Sequence, residues 1–326
     1  MNVSQPHCWI LSDGTAGMEL QAIALADAMG LAPQVKRITP HPILRLSPLF
    51  ACIPGFPVAG SCTKNLTPPW PHILITCGRR HAGASIALKR RSGRMCFTIH
   101  IQDPRLSPTL FDVLVVPEHD PTRGNNVITT ICSLTRVDDN LMAFESKRFE
   151  DQVAELPRPL VAVNLGGDTR QHRVNEDEAA ALTNKLVALA DTTGCGLLVT
   201  TSRRSGPVLD AALAPLGERA DTILWTGAGP NPYLGYLGLA DFVIVTTDSV
   251  SMMSDACASG KPVYLITLGT NPTRRTAFVS TIREKGLARP FEGVLETWDA
   301  VPLREVHRVA SLLAARIGKL DRLARI

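Results

Sequence analysis

The most informative absence in this sequence of 326 residues is that of long apolar segments. A membrane-spanning helix needs roughly 18 to 20 apolar residues in succession, and no run reaches that length, which excludes a protein built around transmembrane helices. The first eight residues have neither a basic start nor a long apolar stretch, so we expect no secretory signal. With 45% hydrophobic and 20% charged residues, the chain has the composition of a globular protein.

Cysteine and histidine are present without the spacing that metal sites require. The eight cysteines form no C-x-x-C pair, and the eight histidines provide no H-E-x-x-H motif. We therefore expect no metal, and we interpret the cysteines as buried free thiols of a reducing compartment. Aromatic residues make up 5% of the chain and are not interleaved with the basic residues, so we expect no nucleic-acid partner.

Several motifs of nucleotide enzymes are also missing. The chain has no G-x-x-x-x-G-K-[ST], which excludes a P-loop NTPase, and no G-x-S-x-G, which excludes the common hydrolase elbow. It has neither the dinucleotide fingerprint G-x-G-x-x-G nor a D-x-D pair that would hold a metal–diphosphate complex. No cofactor is therefore expected.

What the sequence does contain is a regular alternation of short apolar runs with longer amphipathic ones. Residues 8–11 and 160–165 are typical of buried strands, and residues 19–29 and 176–190 of the helices that follow them. This alternation predicts parallel sheets built from β-α-β units, in two series along the chain. We predict an α/β protein with two Rossmann-like, doubly wound domains facing a cleft.

The domain boundary is expected in the polar stretch 150–159, which contains Pro157 and Pro159. This gives an N-terminal acceptor domain over residues 1–153 and a C-terminal donor-nucleotide domain over residues 154–326. The last amphipathic run, 303–317, predicts a helix that either stays with the second domain or packs back on the first.

The charge of the chain is uneven. The net charge of +4 lies entirely in residues 1–150, which hold 15 Lys+Arg against 11 Asp+Glu. A cluster within residues 79–94 is either a solvated helix face or a surface that attracts an anionic substrate or lipid headgroup. The apolar segment 44–58, flanked by Arg45 and Lys64, is either a packed loop or a membrane-surface anchor. We expect a cytoplasmic protein, either free or peripheral on the inner face of the membrane, with an anionic or lipid-linked acceptor as one alternative.

Candidate site residues of the second domain follow the strands, because ligands of parallel α/β sheets bind beyond the carboxyl ends of strands. Two glycines follow the strand 160–165, two arginines follow the strand that ends near residue 200, and seven hydroxyl or carboxylate side chains occupy residues 246–255. A plain turn or a helix cap would explain single positions but not the whole set. The predicted nucleotide- and diphosphate-binding residues are Gly166, Gly167, Ser202, Arg203, Asn231, Thr247, Asp248, Ser249, Ser251 and Asp255.

The first domain is expected to bind the acceptor. Asp13 ends a strand, at the start of the Asp-Gly-Thr-Ala-Gly turn, and is our first candidate for a general base. His119 is the second, although it and its neighbour could equally hold a loop together. The further acceptor or cleft candidates are Gly14, Gly17, Gln21, Arg79, Asp103, Arg105 and Asp120.

Several stretches carry a resemblance to a known family. They are residues 9–14 continuing to Gln21, 100–105, 116–120, 231–233 and 245–262. With these stretches the chain resembles the mitochondrial-fission ELM-type family, which implies a two-domain GT-B-like fold and a glycosyltransferase. The region from Asp248 to Asp255 also resembles the donor segment of the peptidoglycan lipid-intermediate N-acetylglucosaminyltransferase, which implies that Asp255 holds a ribose. Met18 stands where family members often have histidine.

The function expected is a metal-independent glycosyltransferase that takes a nucleotide-diphosphate sugar as co-substrate. Positioned hydrogen-bond donors would neutralise the leaving diphosphate, as a metal ion does elsewhere. Two alternatives stay open: a non-catalytic scaffold or adaptor with the same fold, and a nucleotide-sugar epimerase or NAD(P)-dependent enzyme. The missing G-x-G-x-x-G and the absence of a Y-x-x-x-K pair disfavour the last.

Overall fold

A computed structural model describes residues 7–39, 43, 50, 53, 66–270 and 272–323. The elements of residues 8–153 are β1 (Cys8–Ser12), α1 (Ala16–Ala28), β2 (Pro33–Arg37), β3 (Ile73–Cys77), α2 (Arg79–Arg91), β4 (Phe97–Ile101), β5 (Val113–Pro117), β6 (Val127–Thr130), α3 (Asp139–Ser146) and α4 (Glu150–Val153). Those that follow are β7 (Leu160–Asn164), α5 (Glu176–Thr193), β8 (Gly196–Thr200), α6 (Gly206–Leu213), β9 (Thr222–Trp225), α7 (Tyr233–Leu239), β10 (Phe242–Thr246), α8 (Val250–Ala258), β11 (Val263–Ile266), α9 (Thr273–Glu284), β12 (Arg289–Pro290) and α10 (Glu305–Leu323).

The chain forms two compact units. The first comprises Met1–Arg136 together with Glu305–Ile326, and the second comprises Val137–Arg304. Each contains one six-stranded sheet in which every strand pair is parallel. The prediction of two Rossmann-like α/β domains is therefore confirmed. Within the described ranges, no helix is long and apolar enough to cross a membrane.

The sheet of the first unit is covered on both faces. Its strand order is β2-β1-β3-β4-β5-β6, and β1 and β3 are buried along their whole length. Alternate residues of β1 enter different apolar clusters: Ile10 packs with residues of α1 and α10, and Leu11 packs with residues of α2. This explains why the strands are continuous apolar runs rather than alternating ones.

The sheet of the second unit has the order β12-β11-β10-β7-β8-β9. Counted within this unit, the order is 6-5-4-1-2-3, that of the dinucleotide-binding doubly wound fold. The chain reverses its direction of winding between β7 and β10, and in the first sheet it does so between β1 and β3. Ligands of such sheets bind at these reversal points, beyond the carboxyl ends of the strands.

The division between the units falls after Arg136, earlier than the expected boundary at 153/154. The reason is that α3 and α4 pack within the second unit. The rings of Phe149 and Tyr236 meet edge to face with their centroids 5.9 Å apart, and Gly235 lies so close to Glu145 that a Cβ would be 2.9 Å from its carbonyl oxygen. The polar stretch with Pro157 and Pro159 is a turn inside the second unit rather than a linker.

Helix α10 belongs to the first unit. Val306, Val309, Ala310 and Leu313 are buried in the same apolar cluster as Ile10 of β1. The segment 44–58 and its flanking Arg45 and Lys64, considered as a membrane anchor, lie outside the described residues apart from Phe50 and Ile53. The six described cysteines are buried, and none of these six forms a disulfide bond.

Candidate functional site

The reversal point of the second sheet brings the loop after β7 against the loop after β10. The N–H of Gly166 donates to Thr246 Oγ1 at 2.7 Å, and the N–H of Gly167 donates to Asp248 Oδ2 at 3.2 Å. A Cβ on Gly166 would lie 2.0 Å from Asp248 Oδ2, so only glycine allows this approach. Both N–H groups expected to receive a diphosphate are thus already donating within the protein.

The loop after β8 is tied to the same place. The hydroxyls of Ser202 and Ser205 donate to the Gly166 carbonyl at 2.7 and 2.8 Å. Arg204 forms an ion pair with Asp248, Nη2 to Oδ2 at 2.7 Å, and its Nη1 donates to the Asp168 carbonyl at 3.2 Å. The three loops therefore form one hydrogen-bonded edge of the sheet.

Beside this edge lies a cavity of about 690 Å³. Its lining carries four guanidinium groups and a single carboxylate, that of Asp168. The residues that line it are Asp168, Thr169, Arg170, Gln171, His172, Arg173, Arg204 and Arg275. Arginine presents several donors in a rigid fork that matches phosphate oxygens, so the cavity is suited to an anion with several oxygens.

The electrostatics of the cavity centre on Arg275. Desolvation lowers the pKa of this guanidinium; the negative charge of Asp248 opposes that shift, and the positive charge of Arg204 adds to it. The pKa of Arg275 is thus affected by both members of the Arg204–Asp248 ion pair. An anion bound in the cavity would reduce the electrostatic repulsion between these guanidinium groups.

Four other predicted nucleotide residues lie outside the lining of this cavity. Ser249 caps α8 by accepting from the N–H of Met252 at 3.4 Å, and Thr247 Oγ1 donates to Thr267 Oγ1 at 3.1 Å. Ser251 is half-buried in the first turn of α8, and Arg203 is exposed. Within the described residues, none of these four lines the cavity.

Asp255 and Asn231 belong to a separate cluster around Tyr233. The Tyr233 hydroxyl donates to Asp255 Oδ2 at 3.0 Å, and the Tyr233 N–H donates to Asn231 Oδ1 at 3.0 Å. Burial and the neighbouring charge of Asp255 raise the pKa of Tyr233 well above its usual value. The carboxylate predicted to hold a ribose is therefore fixed by a tyrosine.

In the first unit, β1 and β3 bring Asp13 beside the first turn of α2. Asp13 Oδ2 lies 3.6 Å from Arg80 Nη1, and Asp13 Oδ1 lies 4.0 Å from His81 Nε2. Burial raises the pKa of Asp13, but hydrogen bonds from Thr15 and electrostatic interactions with His81 and Arg80 outweigh burial and lower it. Desolvation lowers the pKa of His81 despite the carboxylate nearby.

The loops after β4 and β5 join Asp103, Arg105 and Asp120. Asp103 Oδ1 accepts from the N–H of Arg105 at 2.7 Å, and the Arg105 guanidinium lies 3.7 Å from Asp103 and 4.0 Å from Asp120. Gln102 and Arg105 have φ angles of 74° and 57°, in the left-handed region that non-glycine residues rarely occupy. Half-buried His119 precedes Asp120 in the same loop.

The remaining first-unit candidates surround α1 and α2. Gly14 has a φ of 84° and lies against Arg37, which explains its requirement for glycine. The buried side-chain amide of Gln21 donates to the Gly17 carbonyl at 2.9 Å, within its own helix. Arg79 is exposed at the start of α2.

Sequence reasoning missed the residues that give the cavity its charge. Arg204 is one of the two arginines noted after residue 200, of which only Arg203 was assigned to the site. Arg170 and Arg173 lie two and five residues after Asp168, so a count of arginines near strand ends could have found them. Arg275 lies in the first turn of α9, after a different strand. His81 was also missed, four residues beyond the end of β3.

Comparison with known proteins gives the family and the fold. The family model described as Mitochondrial fission ELM1 matches residues 16–317. Mitochondrial fission protein ELM1 of Arabidopsis thaliana is 30% identical over 275 residues, which cover 76% of this chain and 64% of the plant protein. The chain thus spans slightly less than two thirds of that relative. An uncharacterized protein of Rickettsia prowazekii is 25% identical over 363 residues, covering 96% of this chain and 99% of that protein.

Solved structures share the two-domain architecture. UDP-GlcNAc 2-epimerase of Methanocaldococcus jannaschii, in complex with UDP-GlcNAc and UDP, has a TM-score of 0.51 and 11% identity, covering 94% of this chain and 99% of that one. MurG of Acinetobacter baumannii has a TM-score of 0.51 and 13% identity, covering 94% and 90%. The glycotransferase of kitacinnamycin has a TM-score of 0.50 and 15% identity, covering 98% and 95%. At these identities the likeness shows the fold alone.

Proposed function

The chain belongs to the mitochondrial fission ELM1 family, and from this premise and the geometry of its second unit we propose that it binds a nucleotide-diphosphate sugar and transfers the sugar without a metal ion. The observation that carries the proposal is the cavity at the reversal point of the second sheet. Four arginines face it, and it lies at the edge where doubly wound sheets bind their ligands.

The charge of the cavity supports a diphosphate in particular. A diphosphate presents several oxygens on two adjacent centres, and donors come from the loop after β7 (Arg170 and Arg173), the loop after β8 (Arg204) and the first turn of α9 (Arg275). Guanidinium groups that are positioned beforehand stabilise negative charge as it develops on a leaving group. They would supply the neutralisation that a metal ion provides in other transferases.

The fold supports a sugar nucleotide as the ligand. The epimerase of M. jannaschii, which shares this architecture, is described in complex with UDP-GlcNAc and UDP. MurG and the kitacinnamycin glycotransferase share this fold. We infer that the second unit binds the nucleotide, and we assign acceptor recognition to the first unit, where Asp13 ends β1.

A non-catalytic scaffold is the second candidate, favoured by one observation. The N–H groups of Gly166 and Gly167 are occupied by Thr246 and Asp248, so the glycine turn offers them to no ligand in this conformation. In this alternative, the arginines would serve a partner protein rather than a nucleotide. The two candidates differ in whether purified protein binds a small nucleotide.

Isothermal titration calorimetry of the purified chain tests the proposal. UDP, GDP, CMP, dTDP and their common sugars would be titrated with and without EDTA. We expect one nucleoside diphosphate to bind, with an affinity insensitive to EDTA. Because a hydrogen bond to a charged group contributes about 1.5–3 kcal/mol, Arg275→Ala should weaken binding by roughly ten- to a hundredfold.

Arg203→Ala is the matched control, since Arg203 adjoins Arg204 but is exposed outside the cavity. The Arg203→Ala variant should bind the nucleoside diphosphate with the same affinity as the wild type. Equal losses in Arg203→Ala and Arg275→Ala would contradict a specific site, and no binding across the panel would favour the scaffold. Release of the nucleoside diphosphate from the bound sugar nucleotide would then report transfer or hydrolysis.

The excess positive charge of residues 1–150 supports an anionic or lipid-linked acceptor. Flotation with vesicles that contain phosphatidylserine, at low salt, tests this part of the proposal. Co-flotation that disappears as salt is raised is expected, because surface charges are screened. Protein that stays at the bottom of the gradient at low salt would exclude attraction to anionic lipid.

A further inference from the structure

Two hydrogen-bond acceptors face each other at the reversal point of the first sheet. They are the carboxylate of Asp13, after β1, and the imidazole of His81, in the first turn of α2 after β3. Asp13 Oδ1 and His81 Nε2 lie 4.0 Å apart. The pair is in the first unit and shares no residue with the arginine-lined cavity.

The tautomer of His81 follows from its other ring nitrogen. His81 Nδ1 lies 2.9 Å from the carbonyl oxygen of Cys77, and a carbonyl oxygen only accepts. Nδ1 therefore carries the proton, and in the neutral ring Nε2 has a free lone pair. His81 is 1% exposed, and among the described residues its Nε2 has no hydrogen-bond partner.

Asp13 is the more accessible of the two groups. Its Oδ1 accepts from the N–H of Thr15 at 3.0 Å, which fixes the carboxylate at the turn after β1, and its side chain is 15% exposed. The lowered pKa of Asp13 keeps it ionised, and the lowered pKa of His81 keeps the ring neutral. Two acceptors that face one another without a proton between them leave a buried polar atom unsatisfied, which is costly.

We propose that Asp13 and His81 form a binding site for two neighbouring hydroxyl groups of a sugar or another polyol. Each hydroxyl has one proton to donate, one to the carboxylate and one to Nε2, which satisfies both acceptors. An ammonium group would also donate to both. It is disfavoured because Arg80 lies 3.6 Å from Asp13 and because the N-terminus of α2 places positive partial charge at the same point.

The site is tested by NMR of the full chain labelled with ¹³C and ¹⁵N at histidine. His81 is assigned by its loss in His81→Gln and, independently of how that variant folds, through its backbone neighbours. The probes are N-acetylglucosamine and glycerol, with ethylammonium chloride at equal ionic strength. We expect both polyols to shift the His81 ring signals saturably, and ethylammonium to leave them unchanged.

Asp13→Asn keeps the size of the side chain and removes its charge, and it should weaken N-acetylglucosamine binding about tenfold. Asp27→Asn is the matched control in the same unit, since Asp27 pairs with Arg136 on the surface, and it should leave binding unchanged. The proposal is overturned if the NMR spectra show that the neutral His81 ring carries its proton on Nε2. It is equally overturned by the absence of saturable shifts, by equal binding of ethylammonium, or by equal losses in the two variants. None of these outcomes depends on nucleotide binding by the second unit.

Discussion

The guanidinium of Arg204 lies 2.7 Å from the carboxylate of Asp248, so the second unit holds an anion of its own beside its arginine-lined cavity. The same carboxylate accepts from the N–H of Gly167. Its other oxygen, Oδ1, is buried and has no hydrogen-bond partner in the part of the chain that the structure describes. Asp248 thus occupies hydrogen-bond donors of Arg204 and Gly167 that a bound phosphate would need.

Asp248→Asn should therefore tighten binding of the nucleoside diphosphate rather than weaken it. The amide keeps an acceptor for Gly167 but no longer competes for Arg204, and it no longer repels the ligand. We expect roughly a tenfold lower Kd, equivalent to about 1.4 kcal/mol. Calorimetry at constant ionic strength measures it, with Asp210→Asn on the exposed face of α6 as the control. A higher Kd would show that Asp248 contacts the ligand directly.

Arg204→Ala should destabilise the fold because it leaves the buried carboxylate of Asp248 without its counter-charge. Removal of one partner of a fully buried pair costs about 3–5 kcal/mol, but the Arg204 side chain is 39% exposed, so we expect about 1–3 kcal/mol. Urea unfolding measures the free energy. The double variant Arg204→Ala/Asp248→Asn should recover most of the loss, and Arg203→Ala should change little. An unrecovered loss would mean that Arg204 acts through packing alone.

Gly166→Ala should be among the most damaging single changes in the second unit. A Cβ at this position would lie 2.0 Å from Asp248 Oδ2, so the ion pair and two loops must move. We expect a loss of about 3 kcal/mol in the free energy of unfolding. Gly318→Ala in α10 is the opposite control, because nothing lies within 4 Å of the added Cβ. It should gain up to about 1 kcal/mol from helix propensity, and a similar loss in both variants would refute the steric argument.

His100 should make the protein lose stability as the pH falls. Burial, and secondarily the charge of His81, lower the pKa of His100 from 6.5 to about 3. Between these values the unfolded chain binds a proton that the native chain does not. Stability therefore decreases with falling pH, by up to about 1.4 kcal/mol per pH unit.

Urea unfolding of the wild type and of His100→Asn between pH 7 and 4 measures this slope. The difference in unfolding free energy between the two should shrink as the pH falls, since the variant lacks the group. His307→Gln, at an exposed position of α10, should keep the wild-type slope. A constant difference between the wild type and His100→Asn would show that His100 does not titrate in this range.

Sequence analysis located the buried central strands of both sheets. Continuous apolar runs such as β1 and β7 predict parallel strands covered on both faces, and the structure has them within a residue or two. Sequence analysis did not find β2 and β6, which lie at the two edges of the first sheet and are half-exposed. At an edge, one side of the strand faces water, so the apolar run that identifies a buried strand is absent.

The candidate site was located more accurately by region than by residue. The rule that ligands bind beyond strand ends selected the loops after β7, β8 and β10, which the structure does join. It could not distinguish Arg203 from Arg204, because which of two adjacent side chains turns inward depends on the backbone angles of a short turn. Nor could it bring Arg275 to the site, since α9 follows β11 and only the tertiary fold places it there.

The interruption of the first unit by the second has a consequence for synthesis on the ribosome. Residues 137–304 are contiguous, so the second unit can complete its core as soon as they have emerged. The first unit cannot, because Val306, Val309 and Leu313 of α10 are part of the core around Ile10. Its first strands must wait for nearly the whole chain to be translated, with an apolar face open to solvent or to chaperones. Ribosome-bound chains from which residues 137–304 have emerged, while residues from 305 onward are still inside the exit tunnel, should therefore contain a folded second unit and a protease-sensitive first one.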